Sequence, residues 1–240
     1  MAPPLAEIWV YLSATPLLFL TLTLLVYQGA YWIYRRAGFH PLLNPVAISV
    51  AMLVALLRLT GTPYETYFGG AQFVHFLLGP ATVALAVPLH RELRRARALA
   101  LPLTAAVVAG SVTAVLTAVG TARLLGASRA TLASLAPKSA TTPVAMGIAE
   151  KLGGLPSLTA ALVILTGIAG AMGGVAVLRL VRVRDQAATG FAMGVASHGI
   201  GTARAFQLGE RAGAFSGLGM GLNALVTALL VPLLARVLLP

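Results

Sequence analysis

The chain alternates long apolar stretches with short basic punctuation. Six stretches, residues 8–34, 44–60, 71–89, 98–121, 155–181 and 214–238, approach or reach the 17–25 or so apolar residues that a membrane-spanning helix needs. The pattern predicts six transmembrane helices. Two polar interruptions do not fit it: residues 137–143 (P-K-S-A-T-T-P) and residues 197–204 (S-H-G-I-G-T-A-R). Irregular backbone at membrane depth survives only when buried in protein or set against a water-filled cavity. Each interruption also carries a cation or a histidine, and an ionisable group at that depth marks a functional site by default.

Basic clusters set the direction of each span. Arg35 and Arg36 follow the first, Arg91, Arg94, Arg95 and Arg97 follow the third, and Arg179, Arg182 and Arg184 close the fifth. Placing these clusters in the cytoplasm puts the N-terminus outside and lets spans one to four alternate. The fourth then ends outside near Arg123, where the fifth must also begin. Residues 124–154 therefore leave and return on one side, as a re-entrant hairpin with a helix at 129–136, a tip at 137–142 and a second helix at 143–152. Pro143 suits the first turn of that second helix, which needs no amide donor there. It also pushes Thr142 out of the helical region.

A weak internal repeat extends the picture. Residues 142–154 (T-P-V-A-M-G-I-A-E-K-L-G-G) align with residues 202–214 (T-A-R-A-F-Q-L-G-E-R-A-G-A), sixty positions on. Thr142/Thr202, Ala145/Ala205, Glu150/Glu210 and Gly153/Gly213 are identical, and Lys151/Arg211 keeps its charge. The same shift lays the fifth span over the fourth, running the opposite way. That is the pattern of an inverted-topology repeat, with units near 98–154 and 155–213. A second hairpin would enter from the cytoplasm with residues 197–201 at its tip. The alternative is one broken helix crossing at 186–210.

Composition agrees with a membrane protein. Hydrophobic residues make up 58% and charged residues 10% of 240 positions, with a mean hydropathy of +0.90, where a soluble domain carries about 25% charged residues. The net charge of +11 resides largely in the basic clusters between spans, so it argues for topology and against nucleic-acid binding. With no cysteine, disulfides and thiolate chemistry are excluded. Residues 1–7 have no basic n-region, and the apolar run after them exceeds an h-region, so the first span is expected to be retained.

The breaks hold the candidate chemistry. In the second, Gly199 and Gly201 would free the backbone for positive φ. A helix starting near Thr202 would aim its amides at an anion. Arg204, in its first turn, would add a planar fork matched to a carboxylate, and Ser197 a hydroxyl. His198 would bind substrate or take up a proton near neutral pH. In the first, Ser139, Thr141 and Thr142 offer hydroxyls and Lys138 a countercharge. The structural alternatives are snorkelling for Lys138 and Arg204 and an imidazole satisfied by backbone carbonyls for His198. Pro80 and Thr82, beside the Gly79-Pro80 break in the third span, and Asn223 in the last span are possible lining. Lys138 and Ser139 adjoin on an extended tip and point apart, which argues against a nucleophile–base dyad. His40, His75, His90 and His198 show no metal-ligand spacing, and no cofactor is expected.

Three motifs, P-K-S-A-T-T-P-V-A-M at Pro137, A-S-H-G-I-G-T-A-R-A at Ala196 and F-L-L-G-P-A-T-V-A-L-A-V-P-L at Phe76, resemble the LrgB/CidB family from about residue 44 to residue 233. The resemblance implies a multi-pass protein of the bacterial inner membrane, often partnered by a smaller LrgA/CidA-type subunit. It is also compatible with two functions: holin/antiholin-like regulation of murein hydrolases, or carriage of small carboxylates as in the related plastid glycolate/glycerate translocator.

The residues tip the balance toward a carrier. The expectation is an all-α polytopic membrane protein with about six spans and two opposed hairpins. An N-terminal segment, 1–43, precedes a core at 44–240. The core binds a small monocarboxylate of the pyruvate, lactate or glycolate type, with a proton on His198, and a homo-oligomer is expected. The alternative is a holin-like protein; an enzyme is not expected.

Overall fold

A computed structural model describes residues 16–238, with the side chains of His75, Leu78 and Thr82 outside the described set. The N-terminal start and the first part of the expected first span, residues 8–15, also lie outside it. Every regular element among the described residues is helical. The chain divides into two compact units, Met1–Ala84 and Leu85–Pro240.

In the first unit, α1 (Pro16–Arg36) packs on α2 (Pro45–Thr60) and α3 (Tyr64–Phe76), and α4 (Leu78–Ala84) follows. Asn44 caps α2 by accepting from the amides of Val46 and Ala47, and Gly61 closes it at φ 63°, where a left-handed residue costs glycine little. Phe19 is fully buried and meets the Tyr67 ring edge-on at 5.7 Å. The third expected span is interrupted at Leu77, three residues before Pro80. Proline cannot donate to the carbonyl four residues back and its ring collides with it, so the helix breaks ahead of Pro80.

The second unit contains α5 (Ala86–Arg91), α6 (Leu93–Ala98), α7 (Ala100–Leu124), α8 (Arg129–Leu135), α9 (Thr142–Lys151), α10 (Pro156–Leu180), α11 (Gln186–Leu208) and α12 (Glu210–Leu238). Ser128 caps α8 and Asp185 caps α11, each accepting from an amide three residues on. The α8–turn–α9 segment folds back on itself: Ser134 Oγ accepts from the Leu155 amide at 2.8 Å, so its end returns to its own first arm. Helix α11 also folds back. Met193, Ala205 and Ala212 share one buried cluster, and the Gln186 side chain lies against Gly209.

Among the described residues, five helical runs are long and apolar enough to cross a membrane: Pro16–Arg36, Tyr64–Arg91, Ala100–Leu124, Pro156–Leu180 and Glu210–Leu238. The expected span at 44–60 is present as α2, but its sixteen residues fall just short of the usual crossing length of about 17. The last span starts four residues earlier than expected. Gly209 ends α11, so Glu210 opens the next helix.

Candidate functional site

The first tip, residues 136–141, is a run of turns between α8 and α9. The amides of Lys138 and Ala140 bond back to the carbonyls of Leu135 and Pro137. Thr141 takes the N-cap position of α9 without a side-chain capping bond, and Thr142 is already helical. Ser139 is buried. Its carbonyl accepts from Asn223 Nδ2 at 2.9 Å, and Asn223 Oδ1 accepts from Ser111 Oγ at 2.6 Å and Thr227 Oγ1 at 3.3 Å. Asn223 thus binds the first tip to α12 and α7. Lys138 Nζ donates to Ser139 Oγ at 3.5 Å, so on this run of turns the two side chains meet and do not point apart as an extended tip would have them.

The second tip is a single residue. His198 adopts φ 41°, ψ −135° inside α11, and helix resumes directly after it. The expected positive φ values at Gly199 and Gly201 are not found; the histidine takes that conformation. A non-glycine residue there costs on the order of 1–3 kcal/mol, so the surroundings must hold it. The imidazole is buried with Nε2 2.8 Å from the Val163 carbonyl oxygen, and an acceptor there requires that Nε2 carry the hydrogen. Thr202 Oγ1 donates to the His198 carbonyl at 2.9 Å and lies 3.0 Å from Ser216 Oγ. Because helix restarts at Gly199, Arg204 sits in the second turn beyond the kink and not in the first. It donates to Gln207 Oε1 at 2.9 Å.

Glycines make room for this tip. A Cβ at Gly167 would strike the His198 ring, and one at Gly170 would overlap Ser197 Oγ. A Cβ at Gly201 would lie 2.5 Å from Ser197 Cβ, so that glycine serves close packing at the kink. Gly199, by contrast, is exposed. Sequence reasoning missed Gly167 and Gly170 on α10 and the carbonyl of Val163. Their signal was the G-I-A-G spacing in an apolar span, since small residues at helix interfaces let backbones approach.

The two tips converge on α10. Val163 packs in a buried cluster with Ala140 and Ala145 at the first tip, while its carbonyl receives His198 of the second. Beside them lies a cavity of about 640 Å³, with Lys138 and Ser139 among its lining residues. Leu99, Leu103, Phe191 and Val195 supply apolar wall, and Arg95 and Asp185 line it as well, paired at 2.9 Å. Its lining includes two cations and one carboxylate, and that carboxylate is engaged by Arg95. Lys138 is left as the charge that an anion in this space would meet. Arg204, His198 and Thr202 are not among the lining residues. Pro80 is exposed in the N-terminal unit, and the Thr82 side chain lies outside the described residues.

The Arg95–Asp185 pair belongs to an ionic belt. Arg91 pairs with Glu210, and Arg211 Nε lies 3.1 Å from Glu92 Oε1. The three pairs tie the α5–α6 segment to the start of α11 and the start of α12, between residues far apart in sequence. Among the described residues no group of acidic, histidine or cysteine side chains could hold a metal ion.

Helix composition, helix length and a cavity beside two broken elements define a multi-pass α-helical membrane protein. The LrgB-like family profile matches residues 23–237, and the chain belongs to that family. It is 37% identical over 215 residues to the YwbG protein of Bacillus subtilis (strain 168), covering 90% of this chain and 95% of that protein. It is 31% identical over 224 residues to a Staphylococcus epidermidis protein named holin-like protein CidB, covering 93% and 96%. To the antiholin-like protein LrgB of Bacillus cereus (strain B4264) it is 27% identical over 221 residues, covering 92% and 96%. No solved structure matches.

Proposed function

We propose that the protein is a secondary transporter of small monocarboxylates in the bacterial cytoplasmic membrane. The observation that carries this reading is the cavity with Lys138 and Ser139 in its lining. A charged lysine facing mostly apolar walls is costly unless an anion compensates it. In this reading Lys138 binds the carboxylate and Ser139 adds a hydroxyl. Thr141, Thr142, Ser197, Gly199, Gly201 and Thr202 shape the two tips, and Arg204 serves the second arm from beyond the cavity. His198 anchors its tip and is the candidate for a coupled proton.

The same reading takes α8–α9 and the two arms of α11 as re-entrant hairpins entering from opposite sides, within inverted units near 98–154 and 155–213. Support comes from the ionic belt, which gathers Asp185 and Glu210 beside Arg91 and Arg95. Helices α7 and α10, of 25 residues each, are the corresponding spans. A smaller LrgA/CidA-type membrane subunit and self-association are the proposed partnerships.

A second reading, a holin/antiholin-like regulator of murein hydrolases and lysis, is favoured by the names of the staphylococcal and B. cereus relatives. Those names speak for it more directly than for transport. Uptake of labelled pyruvate, lactate and glycolate into proteoliposomes separates the two. Saturable, competable uptake supports a carrier; leakage of an unrelated dye of similar size supports a lytic pore.

A further inference from the structure

We propose that a second cavity, at the Leu180 end of α10, binds the headgroup of an anionic phospholipid. This cavity, of about 470 Å³, is lined by Arg179 and Arg184 together with Gln186, Thr189, Leu178 and Leu208, among others. It shares none of its lining with the Lys138 cavity, and the inference stands apart from the transport reading.

Charge comes first. Neither arginine enters an ion pair among the described residues, and the acids near this end are engaged: Asp185 by Arg95, Glu210 by Arg91 and Glu92 by Arg211. Two guanidiniums thus share one cavity with no partnered carboxylate of their own. The turn that brings them together is fixed. The Val183 amide donates to the Leu178 carbonyl at 2.8 Å and the Arg182 amide to the Arg179 carbonyl at 3.0 Å, with Arg182 at φ 63°. Arginine forks match phosphate oxygens in pairs.

Position decides what kind of anion. Helix α10 is long and apolar enough to cross a bilayer, so its end lies where headgroups lie. Its last turn exposes Leu180 at 83%, with Val177 and Val181 also exposed, and Leu178 and Leu208 give the cavity an apolar side. A free phosphate gains nothing from those surfaces, whereas a phospholipid sets its phosphate on the arginines and its acyl chains along the apolar shoulder. Basic pockets between transmembrane helices at the membrane surface bind anionic headgroups in this way.

The test is native mass spectrometry of the full-length protein in detergent with equal amounts of phosphatidylglycerol and phosphatidylcholine. Phosphatidylglycerol adducts should dominate by at least roughly fivefold, the factor one basic residue near a membrane surface supplies. Arg179→Gln combined with Arg184→Gln should bring the ratio close to one, while Arg123→Gln, at the far end of α7, should leave it unchanged. If the double glutamine variant does not fold, Arg179→Gln and Arg184→Gln singly should each lower the ratio, and an unchanged ratio in both would overturn the proposal. Equal binding of the two lipids in the wild type, a preference that persists in the double glutamine variant, loss of preference in Arg123→Gln, or full displacement by millimolar inorganic phosphate would overturn the proposal.

Discussion

The side-chain amide of Asn223 donates to the backbone carbonyl of Ser139 at 2.9 Å, across 84 residues of sequence. This bond, with Ser111 and Thr227 on the other side of the same amide, holds the first tip where Lys138 reaches the cavity.

Asn223→Ala removes the bond and leaves the buried Ser139 carbonyl and Ser111 hydroxyl without their partner. An unsatisfied buried polar group costs about 1–3 kcal/mol, so detergent unfolding should show a loss of that order. A cysteine at Ser139 should also label faster in this background. Wild-type stability and labelling would mean that the tip is held by other contacts.

The glycines of α10 give a comparison within one helix. Gly170→Ala should destabilise the protein, because its methyl would overlap Ser197 Oγ, while a methyl at Gly173 would meet nothing within 4 Å. Gly173→Ala should be neutral or stabilising, by about 0.5–1 kcal/mol from helix propensity. Equal melting temperatures for the two variants would contradict the packing of the second tip on α10.

The proposed re-entrant hairpins make a prediction about sidedness. In a chain free of native cysteine, single cysteines at Gly126 and Gly154 should label from one side of the membrane. Cysteines at Asp185 and Gly209 should label from the other. Opposite-side labelling within either pair would exclude that hairpin and the inverted repeat with it.

The first break is legible in the sequence because its causes are local: Pro137 and Pro143 flank it, and its helices end within a residue or so of the positions the sequence predicts. The second break falls at His198, inside the expected tip at 197–201, but helix resumes at Gly199 and not near Thr202. A one-residue kink at His198 leaves no turn signature, and the glycines beside it suggest the wrong carrier of positive φ. The repeat register is also shifted. Helices α7 and α10 start at Ala100 and Pro156, an offset nearer 56 than sixty, so the Glu150/Glu210 match does not reflect equivalent positions in the helices. The Asn223 bond and two of the belt pairs join residues 84 to 119 apart, and no local pattern announces them.

His198 separates anchoring from proton coupling. Glutamine retains an N–H donor for the Val163 carbonyl but cannot carry the proton. If the histidine is the coupling group, His198→Gln should lose uptake driven by a proton gradient and keep counterflow exchange. Loss of both would indicate that the imidazole is needed to hold the tip, and retention of both would leave it no role in coupling.

The most direct test is saturable uptake of labelled pyruvate, lactate and glycolate by wild-type and Lys138→Gln protein in proteoliposomes. Truncating one partner of a buried charge pair costs about 2–5 kcal/mol, so apparent affinity in Lys138→Gln should fall by more than tenfold. Arg204→Gln, outside the cavity lining, should fall less. Uptake by Lys138→Gln equal to wild type, or wild-type vesicles that leak an unrelated dye as readily as they take up carboxylate, would contradict a carrier built around Lys138.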